Sequence, residues 1–406
     1  MTTERSSTRV RGFDSPEMDF QLLRQLGSCA AGGASIGECL ALAGRIKDGD
    51  PDGWVGEFAA LAERQAADAE ARASRGHDIS ARELYLAACN SFRAAEYYAE
   101  PGTPRQRGLG MKSRDCFAAA MAKMPHGFED LRIPFEGRFI PAYFMTPAGT
   151  QSGPGKTLMV ISGFDGTAEE SYLEIGRAAL ERGYNLFLFD GPGQVGLLRF
   201  HPDMIFRPDY EVPVAAALDS LLSRPNVDPA RLGFLGISFG GYFSARAAAH
   251  DRRIKALVAN SPIVDLHAYM RGFMPFDPAE LPDEQNVGVE DIPMIPDQAM
   301  QPQQKRQVAM LCRRFGQPTF RDTFRKLREF RLGSSLRDIA CPCLAMVGEG
   351  EGAEPMRQAK AFAAGAAGPV ALRVFTAMEG ADSHCQVGNQ TLSAAVVCDW
   401  LDELFS

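Results

Sequence analysis

Short apolar runs alternate with helical stretches beyond residue 126, and this alternation constrains the fold more than any other feature of the sequence. Strands that alternate with helices at this interval form a mostly parallel sheet with helices on both faces. The first two runs lie close together, so we expect an antiparallel hairpin at the edge of the sheet. The helical stretches include Glu170–Arg182, Val212–Leu222 and Gly240–His250. The apolar runs are Leu131–Pro134, Phe139–Met145, Thr157–Ile161, Asn185–Phe189, Leu232–Leu235, Ala256–Ala259, Cys343–Val347 and Ala371–Phe375.

The first part of the chain has a different character. Trp54–Ala73 is rich in Ala, Glu and Arg, which favour helix. Ser80-Ala-Arg-Glu83 fits a capping box that opens the next helix, and Ser113–Met124 predicts a further one. We therefore expect residues 1–125 to form an N-terminal helical domain and residues 126–406 to form the α/β domain.

A long insertion interrupts the α/β pattern at about residues 262–336. Strand signals vanish there, prolines are frequent, and a basic helical portion, Gln303–Arg328, follows. An insertion of this length in an α/β sheet is more often a functional cap than a slack loop. The helices of residues 1–125 also have apolar faces that need cover, so we expect both segments to enclose the site described next.

Net charge, apolar runs and cysteine spacing limit the classes of binding partner and the location that we expect. The net charge of -8 argues against nucleic acid or an anionic membrane, and a small-molecule substrate is expected instead. No apolar run reaches the roughly 18 residues of a membrane span. The first residues lack the apolar stretch of a secretory signal. Nine scattered cysteines show no metal-ligand spacing, so we expect reduced thiols, a cytoplasmic location and no metal.

The segment Gly236-Ile-Ser-Phe-Gly240 lies between a predicted strand and a predicted helix. Glycines at both ends allow the chain to turn sharply, because a Cβ at either position would clash where strand and helix approach. Ser238 would then project its hydroxyl above the sheet, at a helix N-terminus that favours developing negative charge. A glycine-rich turn with an incidental serine is the alternative interpretation. In this context the segment resembles the nucleophile elbow of the α/β-hydrolase fold.

That resemblance implies the chain order nucleophile, acid, base, with the base in the loop after the last strand. Among the six histidines, only His384 lies in that loop. The acid should follow the preceding strand, where three glutamates compete. Members of the fold often place it three residues after the glycine that ends the strand, which selects Glu351. The alternatives are Glu349, Asp382 and Glu354.

An oxyanion hole would need two backbone N–H donors. The resemblance assigns one to Phe239, which follows the nucleophile, and one to the turn after an earlier strand. In that turn we assign the amide of Phe164, while Asp165 could simply form the turn. Asp190-Gly-Pro-Gly-Gln194 resembles a structural turn of the same fold.

Several longer segments carry a narrower resemblance: Ser80–Asn90, Gly163–Glu170, Gly236–Gly241 and Gly380–Gln386. They are similar to the branch of dihydroxypseudooxynicotine hydrolase and the fungal heptaketide pigment hydrolase, which is related to FrsA-like esterases. This branch implies cleavage of C–C bonds or esters with no cofactor, and a homodimer. The nicotine enzyme carries a further acidic residue in its cap, for which Asp265 and Glu280 are the candidates here.

The first functional hypothesis is a serine hydrolase that cleaves a C–C bond in an acyl-aromatic or β-diketone, polyketide-like substrate. A carbanion can leave only if its charge is delocalised, as in an enolate or a phenolate-stabilised carbon. This requirement restricts the substrate to acyl-aromatic ketones and β-diketones. The alternatives with the same three residues are a carboxylesterase or lactonase, and an acyl transferase or cyclase. A non-catalytic binding protein is the least favoured hypothesis, because it would have no need of nucleophile, acid and base in order.

Overall fold

The computed structural model describes residues 5–149 and 153–406. The start of the N-terminal segment considered above, residues 1–4, lies outside the described residues. Each of the eight apolar runs falls within one strand of a single eight-stranded sheet. The strands are β1 (Gly127–Phe135), β2 (Arg138–Thr146), β3 (Gly155–Ile161), β4 (Asn185–Phe189), β5 (Val227–Ile237), β6 (Ala256–Asn260), β7 (Cys343–Gly348) and β8 (Val370–Phe375).

The strand order is β1-β2-β4-β3-β5-β6-β7-β8. β1 pairs antiparallel with β2, and β2 pairs antiparallel with β4, so the predicted hairpin at the sheet edge is confirmed. The pairings from β4 through β3 to β8 are all parallel. Parallel strands need crossover helices that cover the sheet, and β4 and β6 are accordingly buried along their whole length. The predicted α/β fold with a mostly parallel sheet is confirmed.

β3 and β5 lie side by side at the centre of the sheet. Their carboxyl ends therefore meet at one edge, where loops after neighbouring strands converge. The helices that connect and flank the strands are Ala168–Ser171, Arg177–Glu181, Val195–Leu198, Glu211–Leu222, Gly240–His250, Leu266–Arg271, Ala353–Gly365 and Gln390–Phe405, with a π-helical turn at Tyr172–Gly176.

The N-terminal region is helical, as expected, but two of its helix starts differ from the prediction. The helix predicted to open at Ser80 begins at Asp78, so the capping box is wrong. The helix predicted from Ser113 begins at Pro104, where Thr103 caps it by accepting a hydrogen bond from an amide of its first turn. The helices of this region are Pro16–Gly27, Ile36–Ala43, Pro51–Ala73, Asp78–Tyr98 and Pro104–Met121.

Aromatic side chains hold this helical region together internally. Trp54 is buried against Phe58 and Tyr98, with ring centroids 4.5 and 5.4 Å apart, respectively. The Trp54 indole donates a 2.9 Å hydrogen bond to the Ala94 carbonyl. A buried indole that keeps its hydrogen bond contributes apolar area without leaving a polar atom unpaired.

The described residues fall into two compact units. One unit, which we call the helical unit, combines Arg9–Met124 with Phe273–Arg328, and the second of these segments carries the helices Pro302–Arg314 and Phe320–Leu327. The other unit, which we call the sheet unit, combines Arg5–Thr8, Pro125–Gly272 and Glu329–Ser406. The ends of the insertion predicted at 262–336 thus belong with the sheet. Whether the helical unit encloses a site stays a prediction. Among the described helices, none is long and apolar enough to cross a membrane.

Candidate active site

The turn between β5 and the helix Gly240–His250 carries Ser238 in the left-handed backbone region, with φ of 58°. This conformation is unusual for a residue with a side chain and is typical of strained functional turns. A Cβ on Gly236 would overlap the carbonyl group of Gly240, and a Cβ on Gly240 would lie 2.5 Å from the Ile161 carbonyl oxygen. Both glycines are therefore required by close backbone approach, as the sequence predicts.

The turn brings Ser238 to His384. Nε2 of His384 lies 2.8 Å from the Ser238 hydroxyl oxygen, within hydrogen-bond distance. His384 lies after β8 in the loop where the sequence places the base, and its side chain is largely buried. The two residues after it, Cys385 and Gln386, both have left-handed backbones, with φ of 55° and 52°. The base loop is thus held in an unusual conformation at the point where it presents the imidazole.

Glu351 completes a chain of hydrogen bonds on the other side of the imidazole. Its Oε2 lies 2.5 Å from Nδ1 of His384, and its side chain is 1% exposed. Its Oε1 accepts a 2.8 Å hydrogen bond from the Gly348 amide. Burial alone would raise the pKa of the Glu351 carboxyl, but the facing imidazole, the Gly348 amide and the Ser261 hydroxyl together hold that pKa below its ordinary value. The group is therefore a charged carboxylate next to His384.

Two further donors on Glu351 were not predicted from the sequence. Its Oε2 accepts hydrogen bonds from the hydroxyls of Ser261, at 2.9 Å, and Tyr269, at 3.2 Å. Burial, and then the nearby Glu351 charge, raise the pKa of Tyr269 well above its usual value, so its hydroxyl keeps its proton and donates. Ser261 directly follows β6, and this position at a strand end is a signal that could have identified it. Nothing local marks Tyr269.

The competing acidic residues have other partners. Glu349 is exposed and accepts from the Ala377 amide. Glu354 binds Arg357 and Gln358. Asp382 is buried, but its carboxylate accepts from Ser7 and Thr8 near the chain start. Of the four candidates, the structure brings Glu351 to the imidazole.

Residues of the predicted oxyanion hole come from two loops that touch. A Cβ built on Gly163, in the loop after β3, would lie 2.7 Å from the Phe239 amide nitrogen. That loop therefore packs directly on the elbow. The rings of Phe164 and Phe239 also share a neighbour, Phe206, at centroid distances of 5.7 and 5.3 Å. The structure thus brings the two predicted residues close to each other, beside the elbow.

The turn at Asp190–Gln194 supports the loop after β3. The Gln194 side-chain amide donates to the Ser162 carbonyl at 2.6 Å and to the Gly163 carbonyl at 3.4 Å. Asp190 accepts from the Ala168 amide at 3.0 Å, and burial together with the charge of Glu169 raises the pKa of this carboxyl to about 7. The sequence predicts only a structural turn here, and in the structure its contacts fix the loop that carries Phe164.

The two residues considered as a further acidic group in the cap have partners of their own. Asp265 caps the helix Leu266–Arg271 by accepting a 2.9 Å hydrogen bond from the Ala268 amide. Glu280 belongs to the helical unit and pairs with Arg328 at 2.6 Å. Across the described residues, no group of His, Cys, Asp and Glu side chains has the arrangement of a metal site.

Ser238, His384 and Glu351 form one hydrogen-bonded series: hydroxyl, imidazole, buried carboxylate. Such a series can move the hydroxyl proton to the imidazole while the carboxylate fixes the tautomer and stabilises the imidazolium. The hydroxyl oxygen then becomes a nucleophile toward a carbonyl carbon.

Comparison with known proteins relates the chain to hydrolases. The profile of the prolyl oligopeptidase family matches residues 212–304, which contain the elbow. Hydrolase ORFZ of Pyricularia oryzae is 33% identical over 353 residues, covering 82% of this chain and 82% of that protein. The chain belongs to the α/β-hydrolase family.

Two further similarities are informative within this family. The 20-hydroxy-prefusarin hydrolase of Gibberella moniliformis is 37% identical to this chain over 272 residues, which cover 65% of this chain. That match spans 64% of the relative's own length. The crystal structure of 2,6-dihydroxy-pseudo-oxynicotine hydrolase superposes with a TM-score of 0.70, covering 93% of this chain and 94% of that one at 20% identity. At that identity the superposition is evidence for the fold alone.

Proposed function

We propose that this α/β hydrolase is a serine hydrolase with Ser238 as nucleophile, His384 as general base and Glu351 as the orienting acid. The observation that carries the proposal is the hydrogen-bond series from the Ser238 hydroxyl through His384 to the buried Glu351 carboxylate. The strained elbow supports it, because φ of 58° at Ser238 is maintained only where surrounding contacts enforce it.

In the proposed mechanism, His384 accepts the Ser238 proton as the hydroxyl oxygen bonds to the substrate carbonyl carbon. The carbonyl oxygen becomes an alkoxide, which the amides of Phe239 and Phe164 stabilise. The tetrahedral intermediate collapses, the bond to the leaving group breaks with its electron pair, and the imidazolium protonates that group. Water, deprotonated by His384, then hydrolyses the acyl-enzyme and releases a carboxylic acid.

For the leaving group we propose a carbon atom of an acyl-aromatic or β-diketone substrate. A carbanion is a poor leaving group unless it departs as an enolate or a comparably stabilised aryl carbon. The name of the Gibberella relative, a 20-hydroxy-prefusarin hydrolase, supports a small organic substrate for this chain as well. The branch that the sequence resembles includes enzymes that cleave C–C bonds alongside esterases, so the resemblance is compatible with the proposed C–C cleavage.

Paired substrates test the proposal. An aryl β-diketone and the matching aryl ester share the acyl group and differ only in the atom that leaves. Purified protein should release the common carboxylic acid from the diketone, detected by mass spectrometry, and Ser238→Ala should abolish the release. Turnover of the ester alone would replace the C–C assignment with an esterase. Transfer of the acyl group to an added alcohol would indicate an acyl transferase.

We further propose a cytoplasmic enzyme that acts as a homodimer. In the described part of the chain, which holds all nine cysteines, no disulfide joins any of them, and this supports a reducing compartment. Sedimentation velocity of the purified chain measures the oligomeric state. A single monomeric species at micromolar concentration would contradict the homodimer.

A further inference from the structure

A short segment near the chain start lies against the base loop. We call this segment, Arg5–Thr8, the strap; it belongs to the sheet unit. The backbone amide of His384 donates a 2.8 Å hydrogen bond to the Arg5 carbonyl. The hydroxyls of Ser7 and Thr8 each donate to the Asp382 carboxylate at 2.6 Å. The strap thus bonds to His384 and to a residue two positions before it.

Asp382 is the residue through which these contacts are organised. Its carboxylate also accepts from the Ser7 amide at 2.7 Å and from the Thr8 amide at 3.3 Å. Its backbone carbonyl accepts from the Gly350 amide at 3.0 Å. Gly350 precedes Glu351, so Asp382 connects the strap, the base loop and the acid loop.

The strap supplies hydrogen-bond donors to the buried carboxylate of Asp382. Asp382 is fully buried, and a buried charge is costly unless hydrogen bonds replace its water. Burial would raise the pKa of Asp382, but the donors from Ser7 and Thr8 hold it below its ordinary value. The strap therefore supplies hydrogen bonds that replace the water of the buried carboxylate.

We propose that the strap is a positioning element of the active site, which sets the orientation of the His384 imidazole through the Asp382 carboxylate and the His384 amide. The inference rests on the proposed function, in which His384 must face both Ser238 and Glu351. The strap bonds to the His384 amide and the Asp382 carboxylate, so its residues act through the base loop that carries the imidazole. Displacement of a catalytic group by about 1 Å costs up to about 100-fold in rate.

The test uses the full chain with a double substitution, Ser7→Ala with Thr8→Val, which removes both hydroxyl donors and keeps the side-chain volumes close. Ser223→Ala is the matched control, because Ser223 is exposed and its hydroxyl bonds only to the nearby Ser220 carbonyl among the contacts described. A rescue variant combines Ser7→Ala with Thr8→Ser, so that compared with the double variant it has one hydroxyl donor back at position 8.

Two readouts separate docking from catalysis. Hydrogen–deuterium exchange of the peptide containing His384 should become faster in the double variant, because the His384 amide loses the Arg5 carbonyl. The kcat should fall about 10-fold while KM changes little, since orientation of the base and not substrate binding is altered. Thr8→Ser should recover part of the lost kcat.

Each contrary outcome has its own meaning. Unchanged exchange in the double variant would overturn the docking of the strap. Faster exchange with unchanged kcat would overturn its positioning role, as would a rise in KM alone. Absence of any turnover in the unmodified protein would instead refute the proposed function. The exchange measurement would still show whether the strap is docked on the base loop. Asp382→Asn, which keeps the side-chain shape, provides the same readouts if the double variant does not fold.

Discussion

Replacement of Glu351 by glutamine tests the assignment of the acid, with Glu349→Gln as a control two residues away. Glutamine keeps the shape of the side chain but loses its charge. The Glu351 carboxylate accepts on Oε2 from His384, Ser261 and Tyr269, and on Oε1 from Gly348. A glutamine has one acceptor oxygen, so its NH2 group must face one of these donors. The substitution therefore both removes the charge and disturbs the tautomer of His384.

The magnitude follows from the charge pair that forms when the imidazole is protonated. Two unit charges about 4 Å apart attract by about 4 kcal/mol at an effective dielectric constant of about 20. At about 1.4 kcal/mol per factor of ten, loss of this attraction lowers kcat about 10³-fold, and the wrong tautomer lowers it further. Glu349 is exposed, so Glu349→Gln should change kcat by no more than about 2-fold.

The assay is steady-state hydrolysis of the substrate found in the paired test, with each variant measured well below its thermal unfolding temperature. Circular dichroism before the assay ensures that a loss of kcat is not a loss of fold. A larger effect for Glu349→Gln than for Glu351→Gln would refute the reasoning. Equal and small effects of both would remove the orienting carboxylate from the mechanism.

Two other predictions follow from contacts of the same loops. Tyr269→Phe removes one donor from the Glu351 carboxylate, so kcat should fall about 10-fold while Ser238 still reacts with a fluorophosphonate; unchanged kcat would show that this hydroxyl does not orient the acid. The pKa of Asp382 is lowered by the strap, so its carboxylate stabilises the fold fully above its ordinary pKa of 3.8, and this contribution is lost as the pH falls through the lower folded value. Asp382→Asn should therefore lower the free energy of unfolding at pH 7 and weaken its dependence on pH in the acid range, as urea titrations at several pH values would measure; an undiminished acid dependence would contradict this.

The strands were predictable because each is a short apolar run between turn residues. β4 begins and ends where the apolar run does, at Asn185–Phe189. β5 begins at Val227, five residues before the predicted run, because Asp228–Arg231 are half-buried or exposed and interrupt the apolar pattern between Val227 and Leu232. The start of the helix Pro104–Met121 was missed because Pro and Gly near residue 102 are typical of a break, whereas Pro104 here occupies the first helical turn.

Part of the candidate site could also be predicted, because it too depends on local sequence patterns. The elbow is a local pattern, and the loop containing His384 follows from the order of strands. The choice among Glu349, Glu351 and Glu354 depends on the fold of a loop and on donors such as Ser261 and Tyr269, which are 90 and 82 residues away. The strap lies further still from the base loop along the sequence, since Ser7 and Asp382 are 375 positions apart. A Ser- and Thr-rich segment has no local signal for such a contact.

The identity of the nucleophile is the central claim, and covalent labelling tests it most directly. A fluorophosphonate should add to the protein once per chain, and peptide mass spectrometry should locate the added mass on Ser238. Ser238→Ala should remain folded, take up no label and lose at least about 10³-fold in kcat. A label on another residue, or near-normal turnover by Ser238→Ala, would contradict the account.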